Sequence, residues 1–223
     1  MSQCHLDFVK RTDSYICFSS LACVPKDEAD FFFLIDVSGS IDSTGLTEMK
    51  RFIIEFLHTF RVGPRHVRIG LMKYSDSPIL EFDLTTYANA KDVEKAVMAI
   101  EKVGLNTYTG KALSEMEPYF KRAKSSRPKV PKYLIVITDG KATDQVMEPA
   151  KTLRDHDVNI YAIGVKGAVK AELVEIAGDN KRTFSVNDFD SLKNLHKQLI
   201  TDICIPDGKK ITGLQNLACR EIM

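Results

Sequence analysis

Four short stretches of this 223-residue chain are too apolar to have a solvent face: Phe31–Val37, "HVRIGLMKYS", "YLIVITDG" and "VNIYAIGV". A strand that is apolar at nearly every position must be covered on both sides. Segments with helical spacing lie between and after these runs. In "STGLTEMKRFIIEFLHTF", Leu46, Met49, Phe52, Ile53, Phe56, Leu57 and Phe60 recur at that spacing. "NAKDVEKAVMAI", "KALSEMEPYFKRA", "MEPAKTLRDHD", "KAELVEIAG" and "DFDSLKNLHKQLITDI" read as further helices, with Asn89 and Asp188 as caps. "SPILEFDL" alternates and begins near a proline, which suits an edge strand, and "RTFSV" is a short final strand. Strands alternating with helices predict an α/β fold: a doubly wound, mostly parallel sheet with one short antiparallel edge strand and helices on both faces. The pattern spans residues 30–203. It leaves an N-terminal flank, 1–29, and a C-terminal tail, 204–223, without the alternation.

The first strand ends abruptly. "FFFLIDVSGSID" passes from apolar residues to Asp36, Ser38 and Ser40, three oxygen donors at alternating positions. Ligands of open α/β sheets bind outside the carboxyl ends of the strands, where the strand order reverses. Two more oxygen donors fall in such places, Thr107 in the loop "GLNTYTG" and Asp139 at the tip of "YLIVITDG". Two carboxylates and three hydroxyls, with no sulfur or imidazole, form a hard set that suits Mg²⁺, Mn²⁺ or Ca²⁺ rather than zinc or copper. Each motif alone has an ordinary reading, a helix cap for the serines and a strand-to-turn signal for "TDG". Their shared placement at strand ends favours one site.

Here the chain resembles the von Willebrand factor A domain with its metal-ion-dependent adhesion site. That family's Asp-x-Ser-x-Ser motif matches Asp36, Ser38 and Ser40, its loop threonine matches Thr107 and its strand-end aspartate matches Asp139. "VGPRHVRIGLMKYSD", "TGKAL" and "VNDFDSL" look closest to the A domains of matrilins and of collagen-associated matrix proteins. The chain departs from such relatives where Gly104, Leu105 and Asn106 replace a Gly-Gly pair. The resemblance implies a module for adhesion or matrix assembly. The serines and the threonine would touch the ion, with the aspartates often acting through water. A Glu or Asp of an extracellular-matrix partner, such as a collagen, would complete the coordination.

Enzymatic readings fit less well. "GLNTYTGKA" approaches a phosphate-binding loop but has five residues between Gly104 and Gly110, and Ala112 where a magnesium-binding hydroxyl belongs. A metal-assisted phosphohydrolase using the same Asp/Ser/Thr cluster is the alternative. It lacks a recognisable proton acceptor, because His5, His58, His66, His156 and His196 all fall away from the strand-end loops. No catalytic residue and no enzymatic activity are therefore expected.

Charge and cysteines bear on partners and compartment. A formal net charge of +1 argues against nucleic acid, and no apolar run reaches the ~20 residues of a membrane span. The basic stretch "KRAKSSRPKVPK" reads as a solvated linker, with sulfated-glycan binding as its alternative. The N-terminus has no signal-peptide apolar core. The five cysteines, Cys4, Cys17, Cys23, Cys204 and Cys219, all lie in or at the edges of the two flanks. That distribution reads as disulfides in an oxidising compartment, and so as a secreted matrix protein. In the fold that the resemblance implies, the first strand begins and the last helix ends on the face opposite the metal site. A Cys23–Cys204 bridge is therefore expected, with Cys17–Cys204 as its competitor. The odd cysteine leaves a thiol for a disulfide-linked oligomer.

Overall fold

The structure is a computed structural model and describes residues 7–11, 14–18 and 28–204. Two strands, β1 (Asp7–Arg11) and β2 (Ser14–Phe18), pair antiparallel in the N-terminal flank. The α/β unit follows with β3 (Ala29–Asp36), α1 (Ser43–Leu57), β4 (Val67–Tyr74), β5 (Pro78–Phe82), α2 (Ala90–Met98) and α3 (Thr109–Ser126). It continues with β6 (Lys132–Thr138), α4 (Met147–Asp155), β7 (Val158–Val165), α5 (Lys170–Ala177), β8 (Thr183–Val186) and α6 (Leu192–Cys204).

Six strands form one sheet in the order β5-β4-β3-β6-β7-β8. Only the β4–β5 pair is antiparallel, so the expected edge strand lies where its proline and alternation placed it. The chain winds outward from β3 through β4 in one direction and from β6 through β7 in the other. The reversal falls between β3 and β6, the two central strands.

The sheet is apolar on both faces because β3 sends consecutive phenylalanines to opposite sides. Phe31 and Phe33 join a core with Phe52 and Phe56 of α1, Val93 and Val97 of α2 and Leu199 of α6. Phe32 and Leu34 join a second core with Leu113, Met116 and Phe120 of α3, Leu153 of α4 and Leu173 of α5. Phe31 stacks on Tyr133 at 4.8 Å between ring centroids and meets Phe56 edge-on at 5.1 Å.

Caps explain several boundaries. Asp42 accepts the Gly45 N–H to start α1, and Asn89 accepts the Asp92 N–H to start α2. Asp188 accepts the Ser191 N–H as expected, but it caps a turn rather than the helix, and α6 begins only at Leu192. α3 begins at Thr109, two residues before the expected start, because its cap comes from elsewhere in the chain: Asp144 receives the Gly110 and Lys111 N–H groups at 2.8 and 2.7 Å.

At the amino ends of the central strands, Asp30 is fully buried and paired. Arg68 binds it through two hydrogen bonds of 2.7 Å, and Arg127 adds a third at 2.9 Å. The basic stretch lies nearby, and most of its cations are engaged: Lys121 with Glu117, Arg122 with Asp83, Lys124 with Asp157, and Lys132 with the carbonyls of Arg127 and Val130. Those internal partners weigh against the sulfated-glycan reading of this segment. Among the described residues no helix is long and apolar enough to cross a membrane. Cys23 lies outside the described residues, as does the Cys204 side chain, so the expected bridge does too.

Candidate metal centre

The carboxyl ends of β3 and β6 lie side by side at the reversal of strand order. Asp36 is the last residue of β3, and Asp139 directly follows β6. The loop after β3 turns back immediately. The Ser38 N–H donates to Asp36 Oδ1 at 2.9 Å, which brings Ser38 and Ser40 over the strand end. Ser38 Oγ and Ser40 Oγ share a hydrogen bond of 3.3 Å, and Ser40 Oγ donates to Asp139 Oδ1 at 2.7 Å. Four of the five expected donors, separated by up to about a hundred residues in sequence, thus form one connected group.

Thr107 is held through its backbone by Thr143 rather than by the other four. Its N–H meets Thr143 Oγ1 at 3.4 Å, and its carbonyl accepts the Thr143 N–H at 2.8 Å. On the other side, the Tyr108 N–H donates to the Ser75 carbonyl at 3.0 Å. Among the described residues, the Thr107 hydroxyl makes no hydrogen bond to the other four side chains. The loop carrying it meets the serine loop where the Gly39 N–H donates to the Leu105 carbonyl at 3.3 Å.

Several supporting residues carried no signal in the sequence. Thr138 Oγ1 donates to Asp36 Oδ2 at 2.8 Å. Asp76 accepts the Leu105 N–H at 3.0 Å, the Asn106 N–H at 3.3 Å and the Asn106 side-chain amide. These bonds hold the carboxyl of Asp76 below its usual range, the Asn106 amide foremost. Gly104 sits at φ 81°, where a Cβ would overlap Ser75 Oγ and Asp76 Oδ2, so the loop is drawn tightly against the end of β4. Glu172 accepts the Ala142 N–H at 2.9 Å and ties the Asp139 loop to α5. Asp76, Asp144 and Glu172 stand at ordinary loop or helix positions in the sequence, and only the fold shows what they hold.

The electrostatics are unbalanced. Asp36 is completely buried, and burial pushes its carboxyl above the usual range. Hydrogen bonds from Ser38 and Thr138 oppose that shift, and the charge of Asp139 adds to it. Among the described residues neither Asp36 nor Asp139 forms an ion pair, and the nearby Lys102 ammonium instead donates to the Gly39 carbonyl at 2.9 Å. Tyr74, also fully buried, is held neutral by burial and by the Asp36 charge. Two neighbouring carboxylates flanked by hydroxyls, neither of them in an ion pair among the described residues, form a donor set that fits a small divalent cation. Clusters of three or more His, Cys, Asp or Glu are absent among the described residues, in keeping with a set that is mostly hydroxyl. None of the four described histidines hydrogen-bonds to the five donors. His58 and His156 cap helix C-termini, His66 lies in the turn before β4, and His196 contacts the Lys193 carbonyl and Glu55.

A sequence model of the von Willebrand factor type A domain matches residues 30–198, nearly the whole α/β unit. The chain belongs to the von Willebrand factor type A domain family. Its similarity to the collagen alpha-4(VI) chain of Mus musculus is 48% identity over 188 residues, covering 84% of this chain and 8% of the collagen. Matrilin-1 of Gallus gallus is 33% identical over 207 residues, covering 92% of this chain and 42% of the matrilin. The chain thus spans a small part of the collagens it matches and less than half of the matrilin. Among solved structures, proximal thread matrix protein 1 from the mussel byssus, with a zinc-occupied MIDAS motif, superposes with a TM-score of 0.75. That match has 27% identity and covers 80% of this chain and 48% of the byssus protein. As a type A domain, the chain shares the Rossmann-like α/β architecture of these relatives, with helices on both faces of the sheet.

Proposed function

We propose that Asp36, Ser38, Ser40, Thr107 and Asp139 hold a divalent cation, Mg²⁺ with Mn²⁺ or Ca²⁺ as alternatives, and that this type A domain uses it to capture a carboxylate of a matrix protein. The observation that carries the reading is the buried Asp36, next to Asp139 and the serine hydroxyls and in no ion pair among the described residues. When bound, the ion supplies a positive centre that attracts a partner's Glu or Asp. The chain's own residues do the rest. Thr138 and the Ser38 N–H fix the Asp36 carboxylate, Ser40 bridges toward Asp139, and the loops held by Asp76 and Thr143 present Thr107. The collagens and the matrilin it resembles are matrix proteins, and the chain is read as a secreted, extracellular-matrix protein with a collagen-like partner. The reading is one of adhesion without catalysis.

Calorimetry with Mn²⁺ and Mg²⁺ tests the metal. The wild-type protein should bind one ion, and Asp139→Ala should lower the affinity about 10- to 100-fold, through loss of a carboxylate that acts on the ion directly or through water. An unchanged affinity in Asp139→Ala overturns the assignment. Phosphate release from p-nitrophenyl phosphate by the loaded protein overturns the non-catalytic reading.

A further inference from the structure

The rim of the proposed metal centre carries an apolar residue on a pinned backbone. Leu105 is 81% exposed, the most exposed large apolar residue among those described. A single leucine on a surface is ordinary. This one differs because its backbone is pinned on both sides. Its N–H is held by Asp76 and its carbonyl by the Gly39 N–H, Asn106 is bound to the same Asp76, and Gly104 leaves no room for a side chain. The leucine side chain also has a defined neighbour. Its Cδ2 lies 3.8 Å from where a Cβ on Gly39 would be, and Gly39 separates Ser38 from Ser40. The apolar group therefore lies on the side of Gly39 where a side chain would project, next to the residue between Ser38 and Ser40, with most of its surface in water. Ordering a loop to display an apolar group is unfavourable in the free protein, and covering that group by a partner recovers the hydrophobic term.

We infer that Leu105 is a specificity-determining residue, which selects partners whose ion-binding carboxylate is borne beside an aliphatic group. The inference rests on the proposed capture of a carboxylate by a bound ion and adds the chemistry of what surrounds that carboxylate.

Two simple acids test it on the full chain loaded with Mn²⁺. Water-proton relaxation enhancement falls when a carboxylate displaces water from the ion, so acetate and 4-methylpentanoate can be titrated directly. The wild-type protein should bind 4-methylpentanoate about five- to tenfold more tightly than acetate, the size expected for partial burial of a few methylene groups. In Leu105→Ala the difference should shrink below about twofold, with Mn²⁺ affinity unchanged. Leu80→Ala, which removes an exposed leucine from β5, should keep the full difference. Equal affinity of the two acids for the wild-type protein overturns the inference, as does a difference that survives in Leu105→Ala. If Mn²⁺ binds but neither acid displaces water, carboxylate capture itself fails. If Mn²⁺ does not bind, the metal reading fails.

Discussion

Strand β3 carries a fully buried aspartate near each end, and the two are handled in opposite ways. Asp30, at the base, receives Arg68 through two hydrogen bonds and Arg127 through a third. Asp36, at the top, is met by the Ser38 N–H and by the hydroxyls of Ser38 and Thr138, and faces the charge of Asp139. A buried carboxylate is costly unless it is paired. At the base the chain itself provides the counter-charge, so that carboxylate is structural. At the top the carboxylate forms no ion pair among the described residues, which supports the proposal that it serves a bound ion.

The comparison can be broken first at the base. Asp30→Ala should cost about 3–5 kcal/mol of stability, because it leaves the buried Arg68 guanidinium without its carboxylate and takes one partner from Arg127, which keeps Glu28 and the His66 carbonyl. Denaturant unfolding measures it, and calorimetry should show Mn²⁺ affinity retained. A loss below about 1 kcal/mol would mean that the two ends do not differ as described.

Asp36→Asn is the matching change at the top. Metal affinity should fall at least about 100-fold, while the metal-free protein keeps its stability or gains up to about 1 kcal/mol. The sign follows from the raised carboxyl. The folded state binds a proton more tightly than the unfolded state, so Asp36 makes metal-free stability rise as pH falls from its raised folded value toward the usual carboxylate range. Metal-free melting curves across mildly acidic pH should show that slope in the wild-type protein and a flatter one in Asp36→Asn. An equal slope in both proteins would remove Asp36 as its source.

Gly104→Ala sharpens the same contrast at the rim. The new Cβ collides with Ser75 and Asp76 and sits at a positive φ, a combined cost of about 1–3 kcal/mol. Displacing the loop should also weaken Mn²⁺ binding severalfold through Thr107. Stability loss with full metal affinity would show that Thr107 does not depend on its loop. The smallest effect is expected for Lys124→Ala, since an exposed pair such as Lys124–Asp157 contributes ~0–1 kcal/mol. Thermal melting should hardly change.

The main architecture was legible because each signal was local. Continuous apolar runs marked the buried strands, helical spacing marked the helices, and the proline ahead of "ILEF" marked the edge. The oxygen donors were legible as candidates because Asp36, Ser38 and Ser40 alternate after a strand, while Thr107 and Asp139 follow recognisable loop and strand patterns. Their supports were not, because each depends on pairing across the fold. Asp144 caps a helix 33 and 34 residues away, and Asp76 holds a loop 29 and 30 residues away. No spacing in the sequence encodes such partnerships. The β1–β2 pair was also missed, since five-residue strands such as "DFVKR" are too short to establish a period.

The pairing of β3 has a mechanical consequence. This strand lies parallel to β4 over eight residues and to β6 over six. Tension on the chain ahead of Ala29 therefore runs along the strand and loads both ladders in shear. Their bonds share the force and must fail together, whereas bonds loaded one after another would unzip. Arg68, Arg127 and the Asp30 they grip stand where such a load arrives, and the oxygen donors stand at the far end of the same strand. In single-molecule pulling, Asp30→Ala should lower the unfolding force more than Asp36→Asn does, so the base of the strand, not its tip, sets the load the domain withstands.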